Sequence, residues 1–94
     1  KESTLEEEGK LVEELQRRIA KNGAVTYGFA HVKKAISAIE TLLLSEKFVG
    51  KSREVAEKLV DTVEKNKGKV VVMDSRVLDG LGGAAALLRY TVAA

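Results

Sequence analysis

Ninety-four residues, 45% of them hydrophobic and 32% charged, suffice for one domain with a modest core and are too few for two. The 16 basic residues against 14 acidic ones leave a net charge of +2, which is not the strongly basic balance of a nucleic-acid binder. The absence of cysteine excludes a disulfide framework, a thiolate zinc site and a thiol nucleophile; no apolar run nears the roughly 18 residues that span a bilayer and no signal segment opens the chain, so a cytoplasmic protein is expected.

The chain starts at Lys1 rather than methionine, which predicts a piece excised from a longer protein. Ser3 or Thr4, each with a glutamate three residues on (Glu6 or Glu7), predicts a capping box. Leu5, Val12, Leu15 and Ile19 then recur at helical spacing, with Glu6 to Glu8 at the positive end of the helix dipole and Arg17, Arg18 and Lys21 at the negative end. Gly9 costs this helix about 1 kcal/mol relative to alanine, and Asn22-Gly23 supplies the stop. "AVTYG" predicts a short strand, and Phe29, Val32 and Ile36 give a second helix an apolar face.

"IETLLLS", Ile39 to Ser45, is too continuously apolar for a half-exposed strand and predicts one covered on both faces. Ser52 is expected to cap a third helix with Val55, Leu59 and Val63 on one face, ended by Gly68. "KVVVMD" predicts another doubly covered strand, "SRVLDG" a short helix or turn, "GLGG" a tight turn, and Ala84 to Val92 the last strand. Strands alternating with helices, apolar on both sides, predict a three-layer α/β/α sandwich.

Catalytic signals are few. His31, the only histidine, lies beside Lys33 and Lys34 with no second metal ligand nearby and reads as a surface or half-buried residue. Ser75 follows Asp74 at a strand end, where active-site residues often sit, and is equally a helix cap. A small hydrolase built on Asp74, Ser75 and His31 would need all three within hydrogen-bond reach. There is no Gly-x-x-x-x-Gly-Lys-[Ser/Thr] run, and "GLGG" precedes a strand where a dinucleotide fingerprint would follow one. Glu6 to Glu8 and the Glu13-Glu14 pair read as solvated helix faces.

Four segments in order, "AVTYGFAHVKKAI", "IETLLLSEKFV", "GKVVVMD" and "LDGLGGAAALLRY", together resemble the C-terminal domain of the family formed by Pelota and the archaeal and eukaryotic class 1 release factors. In that family a Tyr-Gly pair opens a helix, here Tyr27-Gly28, and a Val-Glu-x-Leu-Leu-x-Ser-like strand follows, here Ile39 to Ser45. The domain closes on a Gly-Gly-Ile-Ala-Ala-Ile-Leu-Arg-Tyr-like strand, here Gly82 to Tyr90. Release factors usually insert a minidomain, often cysteine-rich in archaea, for which this chain has neither room nor cysteine, so the resemblance favours the archaeal Pelota branch. The segment from Asp74 to Leu78 is shorter than the family's usual loop.

The resemblance implies a mixed, roughly four-stranded sheet related to kink-turn-binding ribosomal proteins, in the last of three domains. Those proteins read RNA through Gly-x-Asn-Glu-x-x-Lys; the aligned residues here are Gly28, Ala30, His31 and Lys34, so the two base-reading side chains are missing and sequence-specific readout is not expected. Gly28, Lys33 and Lys34 stand as weak nucleic-acid candidates through generic phosphate attraction. The implied function is docking, by a monomer, to an elongation-factor-1-alpha-type translational GTPase on stalled ribosomes, and later to the ribosomal stalk region or recycling ATPase. Leu88, Arg89 and Tyr90 are the expected protein-binding residues, with arginine and tyrosine the types that dominate hot spots; Leu88, like Leu87, has the alternative of a core residue, and Arg89 that of pairing with a neighbouring carboxylate. The resemblance implies no membrane, no catalytic residue and no cofactor here: the partner holds GTP, and the divalent-metal-dependent endoribonuclease activity described for some full-length members is associated with another domain. The alternatives are an archaeal release factor domain and a kink-turn-type RNA-binding module.

Overall fold

A computed structural model describes residues 5–90; the expected cap at Ser3 or Thr4 lies outside them, and the last strand, expected from Ala84 to Val92, ends at Leu88, with Arg89 and Tyr90 in a bend. The elements in order are α1 (Leu5–Ala20), β1 (Val25–Tyr27), α2 (Phe29–Lys34), a 3-10 helix (Ile36–Ala38), β2 (Ile39–Ser45), α3 (Glu46–Lys51), α4 (Arg53–Lys65), β3 (Lys69–Met73), α5 (Arg76–Gly80) and β4 (Ala84–Leu88). The sheet runs β1-β4-β2-β3, with β4 antiparallel to both neighbours and β3 parallel to β2. This is the expected three-layer sandwich with a mixed four-stranded sheet.

Period-2 alternation divides the core into two clusters. Leu42, Leu44, Ala84, Ala86 and Leu88 face α2 and α4, while Leu43, Ala85, Leu87 and Met73 face α1 and α5. The three alanines of β4 have no exposed surface, and their small side chains let helices approach both faces of this inner strand. β2 is buried throughout except at Glu40, the extra residue of a bulge where the pairing shifts from Ile39↔Leu88 to Thr41↔Leu87.

Three helices end alike. The N–H of Gly23, Gly68 and Gly83 donates to the carbonyl five residues back, at Arg18, Val63 and Leu78, over 2.8, 2.8 and 2.7 Å. The left-handed residue that turns the chain is Asn22 (φ 52°), Lys67 (φ 65°) or Gly82 (φ 96°). The stops expected at residues 22–23 and at Gly68 therefore hold, with the positive φ carried one position before the glycine.

Several expectations need correction. Leu5 is 87% exposed, because no described element covers the first turn of α1. α3 was not anticipated: its six residues are too few for a helical period, and Ser45, still paired in β2, caps it by accepting from the Phe48 N–H at 3.0 Å. Ser52 precedes α4 but makes no side-chain cap bond. α4 is rotated from the expected phase, burying Ala56, Leu59 and Val63 and leaving Val55 exposed. β3 is an edge strand, so its α4-side face is covered only in part and Val72 remains 38% exposed.

Candidate functional site

The strand register brings the last described residues together with three other elements. β4 ends at Leu88, whose N–H donates to the Ala24 carbonyl, and the Arg89 N–H continues to the Ala38 carbonyl at 2.9 Å. The Arg89 side chain then turns across the end of the sheet: Nη2 donates to the Asn66 carbonyl at 2.7 Å, and Nε approaches the Ile39 carbonyl at 3.4 Å. Asn66 caps the C-terminus of α4, so the guanidinium sits at the negative pole of that helix, where an unpaired carbonyl accepts a charge-assisted bond. Arg89 thus ties the 3-10 helix, the bulged start of β2 and the end of α4 to the last strand. These bonds go to backbone carbonyls, while the rest of the side chain is exposed.

A second arginine, which the sequence did not mark for this role, works from the other face. Arg18 Nη1 donates to the carbonyls of Ala24 (3.1 Å) and Leu88 (3.2 Å), and its Nε donates to Glu14 at 2.7 Å. Arg17 also donates to Glu14. The hydrogen bond from Arg18, helped by the charges of both arginines, holds the Glu14 carboxyl below its ordinary value of 4.5. The signal available in sequence was the Glu14–Arg18 spacing of four on one helix; that Arg18 reaches the strand ends depends on how α1 lies on the sheet.

Of the three expected contact residues, Leu88 is corrected to its core alternative: it is 4% exposed and packs in the α2/α4 cluster, because both faces of an inner strand are covered. Tyr90 stands at the same end, 59% exposed, offering a ring and a hydroxyl. The surface here is therefore Tyr90 with the outward part of Arg89, on a base fixed by two arginines.

Gly28, Lys33 and Lys34 lie elsewhere. Gly28 adopts φ 87° at the entry to α2; its N–H donates to the Ala84 carbonyl and its own carbonyl accepts from Val32, both at 2.9 Å, so this glycine has a complete structural role. Lys33 folds over the Phe29 ring, 5.7 Å from its centre. Ala30, His31 and Lys34 are exposed. Ser75 caps α5 by accepting from the Leu78 N–H at 3.3 Å. Among the described residues no group of three or more His, Asp or Glu could hold a metal ion, and no described helix is long and apolar enough to cross a membrane.

Residues 5–92 match the eRF1 domain 3 family, and the chain belongs to that family. Within it the chain is of the archaeal Pelota C-terminal kind. It is 44% identical over 98 residues to the Pelota homolog of Methanocaldococcus jannaschii, a match covering 97% of this chain and 28% of that protein. The crystal structure of Archaeoglobus fulgidus Pelota shares its fold with a TM-score of 0.88 at 38% identity, over 96% of this chain and 31% of that one. S. cerevisiae Dom34, a translation termination-like factor involved in RNA quality control pathways and interacting with Hbs1, gives 0.84 at 32%, over 93% and 28%. A structure of ribosome-bound archaeal Pelota and ABCE1 gives 0.79 at 41%, over 93% and 27%. The chain thus spans 28–29% of the length of the curated relatives it matches.

Proposed function

We propose that this chain is the protein-docking, C-terminal domain of a longer, three-domain cytoplasmic factor that rescues stalled ribosomes and serves mRNA surveillance. Its partner is an elongation-factor-1-alpha-type GTPase, which holds the GTP; the domain itself orients and binds, carrying no cofactor and catalysing no step. The observation that carries this reading is the end of the sheet around Arg89 and Tyr90. An arginine locked to backbone carbonyls presents an exposed tyrosine from a rigid base, and a rigid aromatic anchor loses little conformational entropy on binding. Family membership supports the setting, since Dom34 is described as interacting with Hbs1 and an archaeal Pelota has been seen ribosome-bound with ABCE1.

The test is site-specific photo-crosslinking with purified components. A photoreactive phenylalanine replaces Tyr90 in one sample and Lys34 in another, each mixed with GTPase carrying a non-hydrolysable GTP analogue and with stalled ribosomes. Docking predicts a protein crosslink to the GTPase from position 90 and none from position 34. An RNA crosslink from position 34 with nothing from position 90 would replace this reading with the nucleic-acid one.

A further inference from the structure

The opposite edge of the sheet carries a surface that the Arg89 end does not use. Among the described residues β3 pairs only with β2, so the N–H and C=O groups along its outer edge have no strand partner there. Edge strands are ordinarily blunted by proline, by a bulge or by charged side chains; here the strand reads Lys69-Val70-Val71-Val72-Met73, with its charge only at the start. Beside this edge runs an open groove of about 630 Å³, with Leu44, Val49, Val60 and Val72 in its apolar lining.

The wall of that groove is α4, and its charges fall in one row. Glu54, Glu57, Asp61 and Glu64 all line the groove and follow at spacings of three, four and three, a single stripe on a helix. Lys58 also lines it, and Asp61 pairs with Lys65 at 3.3 Å. An acidic row on a chain whose net charge is +2 is a local inversion of sign. At a rise of about 1.5 Å per residue the stripe is about 15 Å long, and the five residues of β3 extend about 17 Å. The edge and the acidic wall are therefore of similar length, and both border the groove.

We propose that this edge takes an extended segment of a partner protein, with lysine or arginine at every second position, as a fifth strand of the sheet. Backbone pairing to β3 supplies register, as in other cases of strand addition. Alternate side chains of the added strand lie about 7 Å apart on the α4 side; lysine or arginine there lays its aliphatic stem over Val72 and Val60 and brings its charge to the carboxylates. A second copy of this chain is the disfavoured occupant, because pairing two β3 edges sets two acidic stripes against each other. The surface is independent of the Arg89 and Tyr90 end, so either site can fail without the other.

The probe is a synthetic peptide of about ten residues alternating lysine and valine, long enough to cover β3, titrated into the isotope-labelled chain and followed by amide chemical shifts. The expected result is saturable binding, with shifts confined to residues 69–73 and the groove side of α4. The double variant Glu54→Lys/Glu57→Lys, changed at exposed positions, should bind at least about tenfold more weakly, and a glutamate-valine peptide should not bind. The wild-type shift map stands even if that variant folds poorly. No binding, shifts centred elsewhere, or undiminished affinity in a folded double variant would overturn the proposal. So would a concentration-dependent dimer that protects the β3 amides, which would assign the edge to a second copy.

Discussion

Replacing Arg89 by alanine separates its two roles, because the structure assigns it a stabilising contribution that a pure contact residue would lack. The variant loses the 2.7 Å bond to the Asn66 carbonyl and the 3.4 Å approach to Ile39. A hydrogen bond from a charged donor contributes about 1.5–3 kcal/mol; solvent exposure places this one at the low end, and the longer contact adds little. Charge at the α4 C-terminus adds about 0.3–1 kcal/mol before screening. The expected loss is about 1–2 kcal/mol, or about 5–15 °C in Tm at this chain length. Urea denaturation measures it, with an unchanged slope showing that the unfolded state is unaltered. Arg89→Lys should recover less than half, since a point charge cannot reproduce the planar fork. A loss below about 0.3 kcal/mol in Arg89→Ala, within the range of ordinary surface substitutions, would refute the anchoring role.

Other consequences follow from the same packing. Gly83→Ala forces a side chain onto φ 88° and sets its Cβ 2.7 Å from the Phe48 Cβ; a loss of at least about 2 kcal/mol is expected from strain and overpacking, read by chemical denaturation. Ser45→Ala should cost about 1 kcal/mol through the lost α3 cap, whereas Ser52→Ala should cost a few tenths at most, because its side chain makes no cap bond. Finally, Glu14 has a folded pKa below its unfolded 4.5. Its contribution is fully present above that unfolded value and is lost as pH falls through the lower folded one. The stability difference between wild type and Glu14→Gln should therefore be constant near neutral pH and shrink in acid below about 4.5, as thermal unfolding across that range would show.

Much of the architecture was legible because it rests on period and punctuation. β2 declared itself through its unbroken apolar run, and α1 and α4 through their spacing and stops. What was not legible depended on neighbours. The phase of α4, and with it the exchange of Val55 for Ala56 in the core, is set by where the helix lies on the sheet. The exposure of Val72 follows from strand order, which periodicity does not encode. α3 is nucleated by Ser45, a residue whose position in β2 hid its second role as a cap. The same limit applied at the candidate site: Arg89 and Tyr90 were findable as residue types and Leu88 as either contact or core, but Arg18, 70 residues from the carbonyl it reaches, was not findable.

The central claim is that the Tyr90 end of the sheet docks a translational GTPase. Its most direct test is calorimetric titration of the chain, wild type and Tyr90→Ala, with an elongation-factor-1-alpha-type GTPase loaded with a non-hydrolysable GTP analogue. Tyr90 is 59% exposed, so its loss should leave stability unchanged while weakening a saturable wild-type affinity at least about tenfold, about 1.4 kcal/mol. Equal affinity in the two proteins, or no binding by the folded wild type, would contradict it.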